Sequence, residues 1–166
     1  MKKTYRSFYF REIQQSDQDF LFEMLYQAVY VPPGSPPPDR SILEEPEIRR
    51  YAESWGKEGD FGYIAVDTVS ERRIGAVWLR YFDSEHKGYG YISDDIPEMS
   101  IAVLPDKRGM GIGTALLDAL LRHAAGRVAA ISLSVDPENP AVRLYKRFGF
   151  VECGVSGDSI IMRIDS

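Results

Sequence analysis

The chain has 166 residues, enough for a single domain spanning 1–166 that buries roughly two thirds of its unfolded surface without covalent staples. Its 44% hydrophobic and 27% charged residues match a globular composition, and a net charge of −5 argues against nucleic acid as a main partner. The lone cysteine, Cys153, excludes an internal disulfide or a cysteine metal cluster, His86 and His123 have no zinc spacing, and no apolar run is long enough for a membrane span.

The N-terminal stretch has two lysines but no apolar core of a secretory signal, so a cytoplasmic location is expected. Tyr5 to Ile13 alternates as a strand, and Ser16 or Asp17 reads as the N-cap of a helix with Phe20, Leu21, Met24, Leu25, Ala28 and Val29 on its apolar stripe. Val31 to Asp39 holds five of the ten prolines. It is a stiff connector, suited to one wall of a binding site. Ile42 to Trp55 predicts a second helix with Pro46 in its first turn. Strands are expected over Phe61–Val66 and Ile74–Phe82, followed by a loop, Asp83–Asp95, that is acidic and carries Tyr89 and Tyr91. The acidic loop either attracts a cationic amine or is simply solvated. Tyr26, Tyr30, Tyr51, Trp55, Tyr89 and Tyr91 are candidates to line an aromatic pocket, or else core and rim.

The most informative stretch is Pro97 to Gly126. Met99, Ile101 and Val103 alternate with Ser100 and Ala102 as a strand. Pro105 ends it, and Arg108-Gly109-Met110-Gly111-Ile112-Gly113 opens a helix whose apolar face includes Ile112, Leu116 and Leu120, with Gly126 as its stop. A helix N-terminus behind glycines exposes unpaired N–H groups and favours an anion. The P-loop would need a lysine before Thr114, and Gly109-x-Gly111-x-Gly113 has the wrong spacing for a dinucleotide fold. Further on, Ala130–Val135 is a strand, Asn139 and Pro140 fit the start of a helix with Val142, Leu144, Tyr145 and Phe148 on its buried face, and Gly149 ends it. Phe150–Cys153 and Ser159–Ile164 make the last strands, with Cys153 expected as a buried structural cysteine.

The string Arg108-x-x-Gly111-x-Gly113 after a Glu98–Pro105 strand, with Asn139-Pro140…Tyr145…Phe148-Gly149-Phe150 beyond it, resembles the two signatures of the GNAT superfamily, the GCN5-related N-acetyltransferases. The element order is similar over nearly the whole chain, least so at 31–60. The resemblance implies an α/β fold (α+β in some schemes). It comprises a mixed, mostly antiparallel sheet of about seven strands flanked by about four helices. The fourth and fifth strands splay to hold acyl-CoA.

It further implies that the backbone of Ile101, Ala102 and Val103 takes the pantetheine arm of acetyl-CoA. Arg108, Gly109, Met110, Gly111, Ile112, Gly113 and Thr114 would take the pyrophosphate, and Lys107, Arg143 and Lys146 add positive charge. Asn139 caps its helix and reaches the ligand. Tyr145 is the candidate acid for the departing thiolate, with a core tyrosine as its plain alternative. Glu98 is the candidate base for the attacking amine, or a solvated strand-end carboxylate. The implied reaction is acetyl transfer from acetyl-CoA to a primary amine of a small molecule or peptide within a ternary complex, without a metal. The resemblance also allows a homodimer. A non-catalytic acyl-CoA sensor and a protein N-terminal or lysine acetyltransferase are the rival readings.

Overall fold

The computed structural model describes Lys3, Thr4 and residues 7–166. Eight strands form one sheet: β1 (Lys3–Thr4), β2 (Phe8–Glu12), β3 (Phe61–Asp67), β4 (Arg73–Arg80), β5 (Glu98–Val103), β6 (Ala130–Val135), β7 (Val151–Ser156) and β8 (Ser159–Asp165). Their spatial order is β1-β2-β3-β4-β5-β6-β8-β7. Four α-helices accompany them: α1 (Gln18–Ala28), α2 (Pro46–Arg49), α3 (Ile112–Ala124) and α4 (Ala141–Phe148). The two-residue β1 adds an eighth strand to the seven expected. The first expected strand is seen from Phe8; Tyr5 and Arg6 lie outside the described residues.

Every pairing is antiparallel except β5 with β6. α1 packs on β4 and β5, and α3 on β3, β4 and β5. Residues 74–80 are all buried without alternation, because both faces at the centre of the sheet are covered. Trp78, Phe150, Leu21, Met24, Leu116, Leu117 and Leu120 are fully buried in the core, each worth ~2–3 kcal/mol of apolar transfer.

Three local expectations are corrected. Asp17 does precede α1, but its carboxylate does not cap that helix. It accepts from Gln14 N (2.8 Å), from both terminal nitrogens of Arg11 (2.7 and 2.8 Å) and from Arg73 (3.3 Å). Burial pushes this carboxyl up, but Arg11, the Gln14 N–H and Arg73 outweigh burial and hold it below the usual range. The helix expected over 42–55 is reduced to a 3₁₀ turn (Arg40–Glu44), one α turn starting at Pro46, and further turns to Ser54. The break at Glu45 (ψ 130°) is that of a residue held extended before Pro46, and the early end is set by Arg80 on β4. Its guanidinium draws the carbonyls of Arg50 (3.0 Å), Glu53 (2.6 Å) and Ser54 (3.4 Å) onto itself while pairing with Asp60 at 2.7 Å. Finally, Cys153 is exposed. β7 is an edge strand, and the register slips between Glu152 and Gly154, so Cys153 sits in a bulge.

Candidate active site

The site begins where the sheet fails to close. Leu104 N–H donates to Ile74 O at 2.9 Å, which sets the even-numbered main-chain groups of β5 against β4 and turns the odd-numbered ones toward β6. β6 meets β5 at a single register pair, Glu98 with Ser132, tied by Ser132 N–H to Pro97 O at 3.0 Å. Past that point the strands diverge. The main-chain N–H of Ile101, its carbonyl and the N–H of Val103 therefore face a widening gap. Ala102, by contrast, is turned to β4, and its side chain is buried.

The gap runs toward the N-terminus of α3. Gly109 and Gly111 adopt φ of +77° and +82°, a left-handed backbone that suits glycine, and a Cβ on either would meet nothing within 4 Å. Among the described residues, the N–H groups from Gly109 to Thr114 donate to no other part of the chain; the helix ladder starts with Ala115 N to Gly111 O at 3.0 Å. Unpaired N–H groups at a helix N-terminus, with open space beside Gly109 and Gly111, are chemically suited to an anion. Gly113 has an ordinary φ, and its added Cβ would only touch Val103. Arg108, expected to face a phosphate, is a strut. Its Nε binds Val103 O (3.1 Å) and a terminal nitrogen binds Gln27 O (3.1 Å), fastening the loop to β5 and to α1. Lys107 pairs with Asp67 at 3.3 Å and Lys146 with Glu152 at 3.5 Å, while Arg143 is exposed with no ion pair among the described residues.

α4 follows β6, the second strand of the gap, in the chain. Asn139 Oδ1 accepts Ala141 N–H at 2.9 Å, so it does satisfy a helix-start donor, but α4 begins at Ala141 and Pro140, expected as its first residue, takes the N-cap position instead of Asn139. Gly149 (φ +106°) closes the helix with two bonds, Phe150 N–H to Tyr145 O and Gly149 N–H to Lys146 O, both 3.0 Å. The same turn sets the Tyr145 ring edge-on to Phe150, with centroids 5.9 Å apart. Tyr145 is 8% exposed, and burial pushes its hydroxyl up to about 12. That hydroxyl bonds to no other group among the described residues and is not fully sealed.

Glu98 is not a solvated strand-end carboxylate. It is 2% exposed at the apex of the gap. The Tyr51 hydroxyl donates to one of its oxygens and Gly90 N–H to the other at 3.0 Å. Burial pushes its pKa up to about 7 against the pull of the Tyr51 and Gly90 donors. Gly88 and Gly90 form the cover. A Cβ on Gly88 would overlap the carboxylate, and one on Gly90 would come within 2.8 Å of the Leu133 carbonyl carbon and 3.0 Å of the Glu98 carboxyl carbon. Tyr51 as partner of Glu98 carried no sequence signal beyond its apolar spacing, since the two are 47 residues apart. Ser132, the register partner of Glu98, holds the one sealed side-chain polar atom without a partner among the described residues.

Of the aromatic pocket candidates, Tyr51 and Trp55 are core, Tyr89 is 43% exposed, and Tyr26 ties its hydroxyl to Pro38 O (2.7 Å), fixing the proline-rich connector to α1. In the acidic loop, Asp83 pairs with His86 at 3.1 Å and Asp94 accepts from the Tyr91 hydroxyl.

A mixed sheet with one parallel pair that splays above a glycine-led helix N-terminus is the architecture of an acyltransferase fold. The family model described as "Acetyltransferase (GNAT) family" matches residues 22–150, and the chain belongs to that family, whose members take their acyl group from acetyl-CoA. Mycothiol acetyltransferase of Arthrobacter sp. (strain FB24) is 32% identical over 116 residues, 69% of this chain and 34% of the relative. L-2,4-diaminobutyric acid acetyltransferase of Nocardia farcinica (strain IFM 10152) is 32% identical over 117 residues, 61% of this chain and 59% of the relative. The chain thus spans between 34% and 59% of the length of these two relatives. The solved ribosomal-protein-alanine N-acetyltransferase from Brucella melitensis shares the fold with a TM-score of 0.64, at 19% identity, over 95% of this chain and 99% of that one. Among the described residues no cluster of three or more His, Cys, Asp or Glu stands ready for a metal, and no helix is long and apolar enough to cross a membrane.

Proposed function

We propose that the protein is an acetyl-CoA-dependent N-acetyltransferase that acetylates a primary amine of a small molecule or peptide by direct attack in a ternary complex. The observation that carries this reading is the continuity of the β5–β6 gap with the free N–H groups of residues 109–114. An extended amide chain laid along Ile101 and Val103 satisfies their main-chain groups as a further strand would, and a pyrophosphate at its end reaches the α3 N-terminus. Acetyl-CoA supplies the activated thioester carbonyl.

The side chains then have two tasks. An alkylammonium has a pKa near 10, as lysine does, and must lose a proton before it attacks. Glu98, poised at about 7, is half ionised near neutrality, the range in which a general base works best. To act it needs the Gly88–Gly90 cover drawn back. Tyr145 remains protonated throughout the working range. A thiol of pKa about 8.5 is the stronger acid. Tyr145 therefore serves the departing sulfur as a hydrogen-bond donor rather than by complete proton transfer. Alignment of the two reactants supplies much of the remaining rate.

The test is release of free CoA across a panel that includes L-2,4-diaminobutyrate, polyamines, aminoglycosides and peptide amines, with acetyl-CoA binding followed in parallel by thermal shift. Amine-dependent release is the expected result, and a Gly111→Glu variant should lose the thermal shift. Binding without release on any amine favours a non-catalytic acyl-CoA sensor. No stabilisation of the wild type by acetyl-CoA would overturn the assignment of the gap.

A further inference from the structure

We propose that Tyr51, carried by the turn that follows α2, is the positioning residue that holds Glu98 in its basic form at the apex of the β5–β6 gap. The assignment rests on Glu98 serving as the base.

The phenol is fixed by more contacts than packing alone requires. Its backbone carbonyl accepts the buried Trp78 Nε1–H at 2.8 Å. Its ring lies 5.0 Å from that of Phe82 and stacks on Tyr89 at 6.5 Å with an 11° tilt. Its hydroxyl accepts Tyr89 N–H at 2.7 Å. With that N–H directed at the phenol oxygen, the hydroxyl proton is directed to Glu98. The chain Tyr89 N–H to Tyr51 O–H to Glu98 is thus polarised one way, and each link strengthens the next. Gly90 N–H supplies a second donor. Both oxygens of the carboxyl meet donors, an arrangement that favours the carboxylate and opposes the desolvation that favours the acid.

Other charges near the carboxyl are already spent. Arg80, its β4 register partner, has its guanidinium on Asp60 and on three carbonyls, including that of Arg50 next to Tyr51. From the covering loop, Lys87 lies over the Tyr91 ring and His86 binds Asp83, and β6 contributes the neutral Ser132. Tyr51 is therefore the one side chain among the described residues that hydrogen-bonds Glu98.

The experiment is a carbon-13 NMR titration of the carboxyl groups in wild type, Tyr51→Phe and Glu98→Gln, with kcat/KM for acetyl-CoA and a CoA-releasing amine from the panel measured from pH 6 to 9. A resonance absent in Glu98→Gln should titrate near 7 in the wild type and about one pH unit higher in Tyr51→Phe. Correspondingly, Tyr51→Phe should lower kcat/KM roughly tenfold at pH 6.5 and leave it almost unchanged at pH 9, because the acid limb moves. Loss of packing alone would lower it equally at every pH. Gly88→Ala, whose methyl would overlap the Glu98 oxygen that Gly90 N–H serves and crowd the Tyr51 hydroxyl, disturbs both donors and should move the resonance the same way with Tyr51 intact. An unmoved resonance in these variants, with Glu98→Gln inactive, overturns the role of Tyr51 alone. Wild-type rates for Glu98→Gln across the range overturn the base reading beneath it.

Discussion

A carboxyl that titrates near 7 inside a protein changes stability as well as reactivity. In the unfolded chain Glu98 has its ordinary pKa of 4.5, so between about 5 and 7 the folded state holds a proton that the unfolded state has released. Its contribution is present at low pH and disappears as pH rises through 7. The wild type should therefore lose about 2–3 kcal/mol relative to Glu98→Gln between pH 5 and pH 8, read from urea unfolding of both proteins. A constant difference over that range would mean that the carboxyl is hydrated in solution. Glutamine cannot reproduce both contacts equally well, since its amide nitrogen opposes either Gly90 N–H or the Tyr51 hydroxyl. The offset between the two proteins is set by that mismatch, and the slope alone reports the proton. Glu98 was legible in the sequence as a strand-start carboxylate, but its burial was not. Burial depends on Gly88 and Gly90 letting a loop settle on it and on Tyr51 arriving from far along the chain.

At the scale of elements, the stretches that local chemistry dictates were readable and those that distant side chains reshape were not. The glycine-led start of α3, the Asn139 bond at the start of α4 and its Gly149 stop follow from neighbours within six residues. The segment 42–55 has a helical apolar spacing with Pro46 in its first turn, and Pro46 does start a helical turn. What ends it early is an arginine 30 residues downstream of Arg50, which the periodicity of 42–55 does not contain. Arg80 and Asp60 are each 2% exposed at their side chains, so their pairing is a desolvated one that is costly to break from one side. Asp60→Ala should destabilise the protein by about 3–5 kcal/mol in urea unfolding. It should also loosen the 50–54 turn, and with it Tyr51, so that amide exchange rises at Tyr51 and Tyr89 before it rises in β4. A loss under about 1 kcal/mol would mean that the three carbonyls alone satisfy the guanidinium.

The molecule as a whole has a closed side and an open one. Helices cover the centre of the sheet, whereas β7 forms its far edge with Val151 60% and Val155 76% exposed. Residue type alone predicts a buried Cys153, and its place in an edge strand, at the slip between Glu152 and Gly154, exposes it instead. Phe150, just before the slip, is the residue that goes into the core. Cys153 should consequently react in the native state. One equivalent of a thiol reagent is expected per folded chain, at a rate close to that in urea, and alkylation should leave the thermal shift on acetyl-CoA intact because β8 separates β7 from β6. The same reactivity would add a burst of one equivalent to any thiol-based record of CoA release, which Cys153→Ser should abolish without altering turnover. If the thiol is instead protected until denaturant is added, then β7 is covered in solution. Its exposed valines and unpaired main-chain edge would then lie against another polypeptide, and the protected fraction should fall as the protein is diluted.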